Sequence, residues 1–224
     1  MIPPLIVQEA LERDINLIAI TDHNASANFI AVQKAAQGTD LKVLPGMELQ
    51  TEEDVHSLCL FDTLSQLQTF QDFVNARMPS IKNNPDYFGE QFVVDESGDF
   101  LYREERLLIV SAAINLKEAK DMVAQLNGLF IPAHINRKAY GLFSHLGMLP
   151  LDMPLDALEI SRHLSPQEAV ELYPQIRGMP LIQNGDVHFL TDFLGKTHFQ
   201  IEAPTIAEIK LALHQTEGRS LRIK

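Results

Sequence analysis

Hydrophobic and polar positions along the chain switch repeatedly between a helical period and a strand-like one. Pro3 and Pro4 open a helical stretch that runs through Arg13, and residues 16–20 then form a short apolar run ending at Thr21-Asp22-His23. A second helical segment, about 27–36, is broken by Gly38. Residues 41–49 are strand-like around Pro45-Gly46, residues 55–61 form another short apolar run, and helical spacing returns over 64–76. Residues 78–89, with Pro79, Asn83, Asn84 and Pro85, read as a loop, and 92–101 as a hairpin turning at Ser97-Gly98-Asp99.

Two helical segments, 104–113 and 116–126, lead to a strand at 129–133 that delivers His134. Strands at 157–160, 180–183 and 197–201 and helices at 166–172 and 206–213 complete the pattern. The alternation predicts a single α/β domain over 1–224, with parallel strands and crossovers in a barrel or an open sheet. Ligands of such folds gather at the carboxyl ends of the strands, so polar residues there are the candidates for chemistry.

Composition narrows the classes. The chain has 224 residues, 46% of them hydrophobic, enough for one sizeable core. Eighteen Lys and Arg against thirty Asp and Glu give a net charge of −12, and no basic run is present, which disfavours nucleic acid as a partner. A phosphate ligand would need a divalent cation to reverse the local field. Cys59 is the single cysteine, so internal disulfides and thiolate clusters are excluded and a reducing cytoplasm is the expected compartment. The first ten residues have two prolines and an early acid, and no apolar run reaches the roughly 18 residues of a membrane span, so neither a signal peptide nor a membrane anchor is expected.

His23, Glu48, His56, His134, Asp186 and His188 stand just after apolar runs or early in them, and all are metal-ligand types. A lone histidine is more often structural; their recurrence at strand ends is the signal. In an extended chain Asp186 and His188 project from one face and would share a cation, with Gly185 permitting close backbone approach. Glu48 is either a carboxylate that bridges two cations or a solvated acid opening the acidic stretch 52–54. His56 shares a strand face with Leu58 and Leu60, which suits a core histidine equally well. Arg137, three residues after His134, offers a bidentate fork to a phosphate; Arg162 and His163 are weaker candidates for that duty. His145, His198 and His214 lack motif support and read as structural.

Thr21-Asp22-His23-Asn24, Pro45-Gly46-Met47-Glu48, Val55-His56, Ala133-His134 and Gly185-Asp186-Val187-His188, in this order, resemble the PHP (polymerase and histidinol phosphatase) family over essentially the whole chain. The resemblance implies a distorted (β/α)7 TIM-like barrel with up to three divalent metal ions at its strand ends. It implies His23 and His188 at one outer metal, His56 and His134 at another, Glu48 as the bridging carboxylate and Asp186 beside it.

Family members open with a strand ending in an Asp-Leu-His-x-His-Ser type motif, which this sequence does not contain. The expectation is therefore a PHP-type barrel lacking its first strand, through a start site set at an internal methionine or as a natural remnant. One metal position would be competent, one weakened and one crippled. Two unpaired barrel edges would invite homodimerisation or strand exchange. The expected function is a metal-dependent phosphoesterase hydrolysing a small phosphate monoester or nucleotide through a metal-activated water, with Zn, Mn or Fe as the ion and Arg137 gripping the phosphate. The alternatives are a non-catalytic, truncated PHP-like metal-binding domain and a metal-dependent hydrolase of carbon–nitrogen bonds.

Overall fold

The computed structural model describes residues 1–150 and 152–224. In chain order the elements are α1 (Pro3–Glu12), β1 (Leu17–Ile20), α2 (Phe29–Ala35), β2 (Lys42–Gln50), β3 (His56–Leu60), α3 (Leu64–Asn75), α4 (Pro85–Phe88), β4 (Phe92–Val94), β5 (Phe100–Arg103) and α5 (Leu116–Gln125). They continue with β6 (Leu129–Pro132), α6 (Leu142–Leu146), β7 (Leu158–Glu159), α7 (Pro166–Leu172), β8 (Leu181–Ile182), β9 (Thr197–Gln200), α8 (Ile206–Leu213) and β10 (Ser220–Ile223). Reciprocal capping boxes, Thr63 with Gln66, Asn115 with Glu118 and Ser165 with Glu168, fix the starts of α3, α5 and α7 by satisfying otherwise unpaired N–H groups. No helix among the described residues is long and apolar enough to cross a membrane.

The site-bearing sheet has the order β1-β2-β3-β6. Strands β1 and β2 are parallel, but β3 is antiparallel to both β2 and β6. This corrects the expected parallel arrangement: a short connection with Asp54 in the left-handed region (φ 58°) turns the chain back on itself after β2. Strands β7 and β8 form a separate parallel pair, while β4/β5 and β9/β10 are hairpins. No closed barrel forms among the described strands, and β1 pairs on one edge only.

Period-two alternation sorts the apolar side chains. Leu44, Leu60, Leu129, Ile131 and Ile182 turn inward, where they meet Ile206, Ile209 and Leu213 of α8, with Leu17, Ala19 and Leu58 at the margin. Met47, Leu49, Cys59, Phe130 and Leu158 turn outward and pack with residues of α3, α5 and α7. Ile18 and Ile20, on the outer side of β1, meet residues of α1 and α2. Each fully buried residue of this kind contributes about 1.5–3 kcal/mol.

Two segments depart from the sequence-based expectation. Residues 104–113 are not helical, because tertiary partners take their backbone groups: the Asn24 amide donates to the Leu108 and Val110 carbonyls, and Ala112 N–H donates to Gln50. The loop 78–89 contains α4, started by Asn84 and Pro85. The five-residue α6 and the strand β10 were not anticipated, both being too short to show a period.

Candidate metal centre

Four predicted ligands converge on one end of the sheet. His23 follows β1 and pairs through its backbone with Glu48 of β2, and the connection is tightened by Asn24 N–H donating to the Glu48 carbonyl at 3.0 Å. Asn24 itself is buried, and its side-chain oxygen accepts from Gln50 N–H at 3.0 Å. His56 is the first residue of β3; strand reversal brings this amino end to the place where the other strands end. His134 lies just beyond β6, where strict alternation would group it with outward-facing Phe130. Its left-handed backbone (φ 30°) breaks the alternation and turns the ring inward.

The Glu48 carboxylate is the centre of the group. Its Oε1 lies 3.1 Å from His56 Nδ1 and 3.2 Å from His134 Nε2, and its Oε2 lies 3.4 Å from His23 Nδ1. Glu48, His56 and His134 are buried and His23 is half-buried. Burial pushes the Glu48 carboxyl up, but hydrogen bonding to His134 and His56 outweighs it and holds the group well below the ordinary carboxylate range. The His23 imidazole is lowered, first by burial and then by His56 and His188, against the pull of Glu48.

Each imidazole leaves one buried ring nitrogen without a hydrogen-bond partner: His23 Nδ1, His56 Nε2 and His134 Nδ1. Donor atoms of His23, Glu48 and His56 lie within 4.8 Å of one another. Imidazoles gathered around a carboxylate are a donor set that suits a divalent cation, so these residues could hold one.

Asp186 and His188 sit at the rim. They are not on an extended strand, as the spacing predicts, because Asp186 is left-handed (φ 50°). His188 Nδ1 lies 3.1 Å from the Asp186 carbonyl, and the His188 ring centroid is 6.0 Å from that of His23. Gly185 is required sterically, since a Cβ there would drive into the Asp192 carbonyl. Asp192 accepts the backbone N–H groups of His188 and Phe189 at 3.2 and 2.9 Å. Arg162 donates to Asp192 at 2.8 Å, so it braces this loop. The Arg137 guanidinium is ion-paired with Asp186 at the exposed rim. His145 accepts from Tyr140 N–H, and His214 lies against Asp156.

Three residues at the site were missed. Tyr140 stacks on His56, with ring centroids 4.3 Å apart and planes 2° from parallel, and its carbonyl accepts His56 N–H at 3.0 Å. Nothing in the sequence flags it. Glu159 and Asn184 are hydrogen-bonded to each other at 2.8 Å. Burial pushes the Glu159 carboxyl up to about 7, against hydrogen bonds from Asn184 and the His134 backbone. An acid inside the apolar run 157–160 was the available signal.

The centre opens onto a cavity of about 810 Å³. His23, Glu48, Glu159, Asp186 and His188 line its polar end, and Leu44, Leu58, Leu129 and Ile131 its apolar depth. Residues 14–19 line it consecutively, as an unpaired strand edge does.

No protein-family model matches the chain, and no curated protein does. Among solved structures it is similar to a lesion-specific endonuclease, endonuclease Q from Pyrococcus furiosus, with TM-score 0.72 and 20% identity over 97% of this chain and 52% of that one. It is similar to endonuclease Q in complex with a 27-mer duplex substrate with an abasic lesion at the active site, with TM-score 0.66, 20% identity and the same coverage of 97% and 52%. A third similar structure is a provisionally assigned metal-dependent phosphoesterase from Bifidobacterium adolescentis, with TM-score 0.56 and 17% identity over 84% of this chain and 82% of that one. These likenesses establish a mixed α/β fold shared with such proteins. The chain spans about half the length of the endonuclease chains.

Proposed function

We propose that the chain is a metal-dependent phosphoesterase whose cation is held around Glu48. The carrying observation is a buried, ionised carboxylate ringed by His23, His56 and His134, each with an unsatisfied ring nitrogen. In this reading the fold is a PHP-type (β/α)7 barrel, open beside β1, where the family's first strand would pair. Asp186 and His188 serve a second, more exposed position. A divalent cation bound here supplies Lewis acidity and activates water near neutral pH.

The side chains divide the remaining tasks. Glu48 stays ionised over the working pH range, and His23, lowered by burial, stays neutral and able to ligate. Tyr140 fixes the plane of the His56 ring by stacking. In this reading Arg137, ion-paired with Asp186 at the rim, is the residue that grips the substrate phosphate.

The expectation that disfavoured nucleic acid rested on the net charge of −12 and on the absence of a basic run. Net charge averages the whole surface, whereas a bound cation sets the field at the site. The likeness to an endonuclease in complex with an abasic duplex supports reading DNA phosphodiesters, beside small phosphate monoesters, as candidate substrates. Single, buried Cys59 suits a reducing compartment, in keeping with a cytoplasmic location.

The test is hydrolysis of p-nitrophenyl phosphate and of an abasic-site duplex, with Mn or Zn added. Turnover of either that is abolished by EDTA and by Glu48→Gln supports the reading, and the preferred substrate assigns the class. A metal-loaded chain that turns over neither is the non-catalytic metal-binding domain.

A further inference from the structure

We propose that Glu159 is a positioning residue for the metal centre, its carboxylate tying the His134 backbone to the Asn184 side chain so that the strand ends bearing His134 and Asp186 keep one arrangement. This rests on the metal-centre reading above. Glu159 is the last residue of β7 and only 4% exposed. Its Oε2 accepts His134 N–H at 3.0 Å, and its Oε1 accepts from Asn184 Nδ2 at 2.8 Å. The main chain reinforces the first link, since Ile135 N–H donates to the Glu159 carbonyl at 2.9 Å.

Both tethered segments depart from ordinary strand geometry. His134 and Asp186 have φ of 30° and 50°, left-handed conformations that cost a non-glycine residue free energy and that a tether on either side helps to hold. Asn184 is two residues before Asp186, with Gly185 closely packed between them. A carboxylate is suited to this position because both neighbours present N–H donors and it alone offers two acceptor oxygens. An amide of the same shape would set its own NH2 against one of them.

That polarity gives the test. With the Asn184 amide in its present orientation Glu159→Gln leaves two donors facing each other, and Asn184→Asp in the same chain fixes an acceptor there. Zn affinity is read by chelator competition, and the coordination geometry by the visible spectrum of the Co-substituted protein. The expected result is a loss of Zn affinity of about 10-fold or more in E159Q, as when partners of metal ligands are removed, with an altered Co spectrum. The double variant E159Q/N184D should return to near-parental affinity. Parental affinity with an unchanged spectrum in E159Q, or a double variant no tighter than E159Q, overturns the role. If E159Q does not fold, Asn184→Ala removes one donor without burying another; it should also weaken Zn binding, and parental affinity there overturns the role. A parent chain that binds no Zn overturns the metal centre itself, and this inference with it.

Discussion

His56 Nδ1 lies 3.1 Å from Glu48 Oε1 although the two residues belong to strands that run in opposite directions. Glu48 stands near the end of β2 and His56 begins β3, so the reversal between them delivers both to the same end of the sheet. His23 and His134 reach that end by following their strands, and three imidazoles come to lie against the Glu48 carboxylate.

Arg137 should matter to turnover and not to the ion held around Glu48. Its guanidinium pairs with rim residue Asp186 and touches none of the imidazoles around Glu48. Arg137→Ala should lower kcat/KM by about 100-fold, the cost typical of removing one donor to transition-state charge. Steady-state kinetics beside elemental analysis checks it, and unchanged kinetics removes the phosphate-gripping role.

Gly185→Ala should displace the loop that carries Asp186 and His188, because the added Cβ meets the Asp192 carbonyl. The His56 and His134 side of the centre is built on other strands and should keep its ion. The expected outcome is fewer metals per chain with the fold intact, read by elemental analysis and circular dichroism. Full parental metal content would exclude the rim residues as ligands.

The metal-free chain should show a pH-dependent contribution from Glu159. Its carboxyl rises from 4.5 to about 7 on burial, so the folded state holds the proton more tightly than the unfolded one. The stability it contributes is fully present below 4.5 and is lost as pH rises toward 7. The span corresponds to about 3 kcal/mol. Burial of His23 gives the opposite slope below 6.5, but it is common to parent and E159Q. Urea unfolding in EDTA should therefore show the parent losing stability relative to E159Q between pH 4.5 and 7; a constant difference would refute this.

The free edge of β1, beside an apolar cavity, should pair with another strand. Concentration-dependent association in light scattering is expected, and a Pro at Ala19, which removes an N–H and distorts the edge, should reduce it. A monodisperse monomer at all concentrations would contradict the edge-pairing expectation.

The candidates His23, Glu48, His56 and His134 were legible because they stand just after short apolar runs or early in them, and the fold gathers them at one end of the sheet. The direction of β3 was not, since a period of two reads the same along either direction. Residues 104–113 carry apolar positions that fit a helix, but Asn24 and Gln50 compete for their backbone from distant parts of the chain. The bend at Asp186 is a choice of backbone region that the residue type permits without announcing. Glu159 takes its meaning from Asn184, 25 residues later, a pairing that only the folded chain reveals.

The most direct measurement is metal content by elemental analysis of chain purified without chelator, parent beside Glu48→Gln. At least one divalent ion per parent chain, lost in E48Q while the fold persists, is the expected result. A parent with no ion, or an E48Q chain that keeps the same complement, would contradict a metal centre organised on Glu48.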